Sequence, residues 1–284
     1  MNPQGGCAKG ARVNHLRVGW VLLKRDILGS LLSPAFYIAV TAACLLSTFL
    51  FANYLDTLNK VTVMVSVDPS SIPLFFAVAL MALYLGVTSS ISITGEREHR
   101  TLEVLLYGPV TAGSVVLSKF FRDLAIFLFG LVFFTVYLIV VSAMTNLALG
   151  PRSFWSIATS FFLVWPMISF SVFLSAALRR VRSAVLLFIG VFLGLAGVQI
   201  ASSLLLHVPP ESISLFLLYV REALVILSRW LQWVSPFSYI ARTTMDMTIG
   251  VSRSAGWYVL IAFLYSSLLL VMAVLVLKKR GVCG

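Results

Sequence analysis

The sequence predicts an all-α polytopic membrane protein with six transmembrane helices, and three observations carry that prediction. Of its 284 residues, 60% are hydrophobic and 11% are charged, against about 25% charged in an ordinary soluble domain. The apolar residues gather in runs of roughly 20, the length at which a helix crosses a hydrocarbon layer about 30 Å thick. The basic residues concentrate in short clusters beside those runs, where they resist translocation.

The first 33 residues hold Arg12, Arg17, Lys24, Arg25 and Asp26 among apolar positions, so they contain no uninterrupted signal-peptide core and are expected to be retained. Leu16, Trp20, Leu23, Ile27 and Leu31 recur at helical spacing, with Asn14, Arg17 and Arg25 off that line. This pattern predicts an amphipathic helix on the cytoplasmic surface, ended by Ser33 and Pro34, serving as a membrane anchor or as a docking helix for a partner.

The spans are expected at residues 34–53, 72–93, 121–145, 153–177, 183–206 and 256–277. The third holds no charge after Asp123 and the fifth holds none, while Pro166 is expected to kink the fourth. Gly190, Gly194 and Gly197 in the fifth are spaced for close helix packing, within the chain or between subunits. An amino terminus on the cytoplasmic side places 15 of the 21 basic residues there, in clusters at residues 9–25, 97–122, 179–182 and 278–280. Both termini are therefore predicted to be cytoplasmic. The whole chain, 1–284, reads as one unit: a cytoplasmic tail and amphipathic helix at 1–33, a membrane domain at 34–277 and a tail at 278–284.

Residues 211–234 are long and apolar enough to count as a seventh span. However, Ser214, Arg221, Glu222, Ser228, Arg229 and Gln232 share one stripe, which suits a re-entrant or interfacial helix on the outer face, started by Pro209 and Pro210. A seventh span would also export Lys278, Lys279 and Arg280.

The loop between the second and third spans is the most informative segment. A helix from Glu96 would put Glu96, Arg100, Glu103 and Tyr107 on one side, with Glu96 and Arg100 paired and Leu102, Leu105 and Leu106 opposite. Gly108 and Pro109 would break it, and Thr111 would cap a second helix running through Lys119 into the third span. Two short helices at right angles to the spans are thus expected, forming a docking element. Three of the ten acidic residues alternate with bases here, more than retention of positive charge requires.

Enzyme chemistry is not expected. Gly113 to Lys119 resembles a phosphate loop only superficially, because Ser118 replaces the second glycine and Phe120 stands where a magnesium-binding hydroxyl is needed. His15, His99 and His207 lack metal-ligand spacing, and Cys7, Cys44 and Cys283 form no paired framework. The net charge of +11 lies in juxtamembrane clusters that topology and anionic headgroups account for, so no nucleic acid partner is expected.

Three stretches resemble the membrane subunits of ABC-2 type ABC transporters, the exporter permeases. Leu23-Lys-Arg-Asp-Ile-Leu-Gly-Ser-Leu-Leu-Ser-Pro34 is similar to the family's connecting helix. Gly95-Glu-Arg-Glu-His-Arg-Thr-Leu-Glu-Val-Leu-Leu106, followed by Pro109-Val-Thr and Lys119-Phe, resembles its coupling loop, and Trp233-Val-Ser-Pro-Phe-Ser-Tyr239 a segment ahead of the last span. His99-Arg100 departs from the small residue or glycine that many relatives carry before Thr-Leu-Glu, a difference that would tune which ATPase docks.

The resemblance implies a permease subunit of an ATP-driven exporter in a prokaryotic inner (plasma) membrane, partnered by cytoplasmic ABC ATPases, a second permease subunit and membrane lipids. The chain itself is expected to bind no cofactor, with ATP and magnesium on the partner. Glu96, Arg97, Glu98, Arg100, Thr101, Glu103 and Tyr107 would couple to that ATPase. Arg17, Lys24, Arg25 and Asp26 would support it from the connecting helix, and Trp233, Pro236 and Phe237 would form an outer gate. A membrane scaffold that has lost transport, or an ion-coupled carrier, are the alternatives; the near absence of ionisable residues inside the spans weighs against the carrier.

Overall fold

The computed structural model describes residues 15–60, 71–102, 111–145, 150–207 and 252–281, together with 219, 221–222 and 224–228. Among the described residues all regular structure is helical. The helices are α1 (His15–Leu31), α2 (Pro34–Lys60), α3 (Ser71–Glu98), α4 (Ala112–Thr145), α5 (Pro151–Leu163), α6 (Trp165–Ala177), α7 (Val181–His207) and α8 (Ser252–Gly281). Among the described residues six stretches are long and apolar enough to cross a membrane, and they coincide with the six expected from the sequence, α5 and α6 together making the fourth. The chain is a multi-pass membrane protein.

The spans are apolar on all sides, which suits a lipid surround rather than a water-facing surface. Several helices run beyond the expected spans, α2 to Lys60 among them. α3 runs on to Glu98, and α4 begins at Ala112 as one helix of 34 residues. The segment from Ala112 to Lys119 is therefore the first part of the third span, not a separate short helix lying across it. Thr111 starts it as expected: its Oγ1 accepts from Ser114 N–H at 3.3 Å, while its own N–H donates to Ser114 Oγ at 3.1 Å, a reciprocal cap.

The core centres on α6, which packs against α3 and α8. Nine of its 13 residues are buried, among them Met167, Ile168 and Val172. Serines allow the close approach. Ser169 shares a hydrogen bond with Ser266 of α8, and Ser175 Oγ accepts from the backbone N–H groups of Ile93 and Thr94 in α3. In hydrocarbon, small residues and interhelical hydrogen bonds do the work that apolar burial does in water.

Pro166 breaks the fourth span outright. α5 ends at Leu163 and α6 starts at Trp165, with Pro166 in the first turn of α6, where its missing N–H is tolerated. Val164 joins them, its carbonyl accepting from both Met167 and Ile168 at 3.1 Å. Trp165 sits at this joint, 6.0 Å from the Phe120 ring of α4 and 5.6 Å from Phe263 of α8.

At the periphery, α7 is the least buried span. It touches α3 where Phe188, fully buried, fills the space over Gly86, so that a Cβ at position 86 would overlap the ring. α1 lies outside the bundle and packs along α4.

Candidate functional site

Where α1 crosses α4, charged side chains from three helices enter an otherwise apolar bundle. Gly19 brings α1 close: a Cβ there would lie 3.9 Å from Ser114. Two turns further along α1 stands Asp26, and facing it from α4 is Lys119. Lys119 Nζ donates to Asp26 Oδ2 and to Glu96 Oε1 of α3, both at 2.6 Å. One ammonium thereby ties α1 to α3 through α4.

The second Asp26 oxygen is also occupied. Oδ1 accepts from Arg25 Nε and Nη2 at 3.1 and 3.0 Å. Burial pushes the Asp26 carboxyl up, but the hydrogen bond and charge of Lys119, joined by those of Arg25, outweigh it and hold the group below its ordinary value. Deeper in α4, Arg122 Nε donates to Asp123 Oδ1 at 2.7 Å. Asp123 is fully enclosed, with Ser89 of α3 facing it, and Arg122 stands in the field of Asp26 and Glu96. Arg25, Lys119 and Arg122 match Asp26, Glu96 and Asp123 in number, so the cluster sums to zero. Neutrality through pairing is what makes burial tolerable, since an unpaired ion in such a place costs several kcal/mol.

A second set of bonds ties the end of α3 to the α6–α7 turn. Arg97 Nη1 donates to the Leu178 carbonyl at 3.2 Å, and Glu98 Oε2 accepts from the Val181 N–H at 3.1 Å. Glu98 thus caps the exposed start of α7, where a carboxylate is favoured by the free backbone donors. The last turn of α3 is consequently held by α1 and α4 on one side and by the α6–α7 turn on the other. The arrangement is a joint: Asp26, Glu96 and Asp123 are each engaged by a cation and Glu98 by a backbone donor.

The expected helix starting at Glu96 does not form. α3 stops at Glu98, His99 and Arg100 turn, and Arg100 takes a left-handed φ of 57°, uncommon for a residue with a side chain and typical of a helix terminus. Thr101 Oγ1 reaches back to the Glu96 carbonyl at 3.0 Å, and helical backbone resumes at Thr101 and Leu102, with Leu102 buried. Glu96 and Arg100 therefore do not share one helix. Glu96 turns into the bundle because Lys119 lies there, and Arg100 is exposed.

Of the other expected site residues, Arg17 lies within α1 and Lys24 and Arg25 are exposed on it. The line of Leu16, Trp20, Leu23, Ile27 and Leu31 divides: Leu23, Ile27 and Leu31 are half-buried, whereas Trp20 faces outward. Gly190, Gly194 and Gly197 are exposed on α7, with no described residue within 4 Å of where a Cβ would stand. Glu103, Tyr107, Trp233, Pro236 and Phe237 lie outside the described residues, as does most of 211–234; of that stretch 219, 221–222 and 224–228 are helical.

Sequence reasoning missed Lys119, Arg122, Asp123 and Ser89 as members of the site. The signal was present: three ionisable residues within five positions, at the head of an unbroken apolar run, must be paired inside a bundle if they are to enter it. Among the described residues no group of three or more His, Cys, Asp or Glu side chains is arranged to hold a metal ion.

Comparison with known proteins gives one family. A model described as "ABC-2 family transporter protein" matches residues 22–282, nearly the whole chain. No curated protein matches the sequence.

Proposed function

The chain belongs to the ABC-2 family of transporter proteins, and from that premise we propose that it is the permease subunit of an ATP-driven exporter, powered by a separate cytoplasmic ATPase. The observation that carries this reading is the bridge from Lys119 to Asp26 and Glu96. It locks α1 and the ends of α3 and α4 into one body on either side of the 99–111 segment. A push on that segment would be passed to α3 and α4 through the charge cluster, and to α6 and α7 through Arg97 and Glu98. A force-transmitting joint of this kind suits a protein whose engine sits on another chain.

In this reading the α1 end is cytoplasmic, both termini lie on that side, and the membrane is the inner (plasma) membrane of a prokaryote. Arg100, Thr101 and the following residues through Tyr107 meet the ATPase, with Glu103 among them. The chain binds no nucleotide of its own; ATP and magnesium reside on the ATPase. A second permease subunit completes the pathway.

The test is purification of the tagged full chain from its native membranes. An ATPase should come with it, and an Arg100→Glu, Glu103→Lys variant should lose that ATPase while inserting and folding normally. Full retention of the ATPase in the doubly reversed variant would overturn the assignment of the loop, and absence of any ATPase from the unaltered preparation would overturn the exporter.

A further inference from the structure

The outward face of α1 combines features that a water-facing helix does not carry. Trp20, Lys24, Leu28 and Leu32 succeed one another at four-residue steps, with Val21 and Arg25 beside them. Trp20 is 66% exposed, Val21 63%, Leu28 50% and Leu32 77%. The Arg25 side chain is 64% exposed. Large apolar groups and two cations thus lie open on α1, while Asp26, Ile27 and Leu31 beside them are half-buried. Further along the chain Tyr37 and Ile38 are likewise exposed on α2, a bilayer-spanning helix that starts three residues after α1 ends. An open apolar surface next to a spanning helix and set with cations fits the headgroup layer of a bilayer, where the apolar groups sink and the charges reach the phosphates.

We propose that Lys24 and Arg25 form a headgroup site on α1 selective for anionic phospholipid, and that Arg25 connects this site to the buried charge cluster. Arg25 spends its Nε–H and one Nη2–H on Asp26, which leaves the parallel pair of the other Nη2–H and an Nη1–H for a lipid phosphate in the fork geometry that guanidinium offers. Asp26 in turn gives its other oxygen to Lys119. Headgroup, Arg25, Asp26, Lys119 and Glu96 then form one chain of charge running from the leaflet surface to the end of α3. The charge of the leaflet sets how firmly Arg25 is held on Asp26, and so how α1 seats on α4. An anionic surface is the matching partner because nothing else on this face is acidic: Asp26, the adjacent carboxylate, is only 10% exposed and already committed.

The experiment uses the full chain with Cys7, Cys44 and Cys283 replaced by serine and a fluorophore attached at Leu28→Cys, reconstituted in bilayers containing phosphatidylcholine and phosphatidylglycerol. Bromine is carried on one lipid or the other, so quenching reports which lipid surrounds position 28. Phosphatidylglycerol should be enriched there, and Lys24→Gln and Arg25→Gln should each cut that preference about fivefold, the double variant abolishing it. Quenching by both lipids without preference would reduce α1 to an apolar anchor and overturn the headgroup site. Absence of quenching by either lipid would show that protein or water covers this face, and would overturn the proposal entirely. Lys24 is exposed and stands outside the charge cluster, so Lys24→Gln should lose lipid preference with an unchanged thermal melt, whereas Arg25→Gln, which also frees Asp26, is read against its own melt.

Discussion

Lys119 is the residue on which the α1 end of the bundle depends. Its ammonium serves two carboxylates at once and its side chain is only 7% exposed, so removing it takes from Glu96 the cation bonded to it and leaves Asp26 with the exposed Arg25 alone. Lys119→Met is expected to cost about 3 to 5 kcal/mol, read as a lowered melting temperature of the detergent-purified chain. The triple variant Lys119→Met, Asp26→Asn, Glu96→Gln should recover most of that loss, since a neutral set needs no pairing. A triple variant no more stable than the single one would mean that the cluster contributes packing rather than charge. The position of Lys119 in the chain was plain, but its two partners lie 93 and 23 residues away, a separation that no local spacing rule spans.

Among the elements, α1 shows how far periodicity reaches. Its existence, its end at Ser33 and Pro34 and its amphipathic character were legible, because an apolar line at helical spacing and a proline act locally. Which side faces the bundle was not: Trp20 lies on the same line as Leu23 and Ile27, yet points outward. Docking of α1 rests on Asp26, whose carboxyl is held below its ordinary value by Lys119 and Arg25. A depressed acid contributes stability that is present above its unfolded value, near 3.9, and is lost as pH falls through the lower folded value. Spin labels on α1 and α4 should therefore keep their separation from neutral pH down to about pH 4 and move apart below it. Asp26→Asn should remove this step, and an unchanged acid transition in that variant would assign the step to another group. The 95–119 segment teaches the converse lesson. Helical spacing predicted a helix through Glu96 and Arg100, but tertiary pairing of Glu96 with Lys119 and of Glu98 with Val181 extended α3 and stopped it at Glu98.

For the whole molecule, the arrangement of the glycines bears on assembly. Gly86 is spent inside the subunit, beneath Phe188, whereas Gly190, Gly194 and Gly197 lie open on α7. In a bilayer, open small residues at this spacing permit close approach of another helix. If the second permease subunit seats there, cysteine at position 194 in an otherwise cysteine-free chain should cross-link two copies in native membranes, and cysteine at the enclosed position 86 should not. A chain that stays monomeric with cysteine at either position would leave α7 facing lipid and move the subunit contact elsewhere.

The sequence by itself determined that this chain crosses a membrane and how many spans its described residues form. Each of these follows from the cost of placing polar atoms in hydrocarbon, which is summed residue by residue along the chain. The grouping of residues 97–122 with 179–182 is borne out by the bonds from Arg97 and Glu98 to Leu178 and Val181. Tertiary structure alone decided that Lys119 joins Asp26 to Glu96, that Arg122 and Asp123 are enclosed as a pair, and that α1 keeps a mixed apolar and cationic face outward. Charge pairing inside a bundle is a property of which helices meet and at what height. That is fixed by packing across the fold, and the order of residues does not display it.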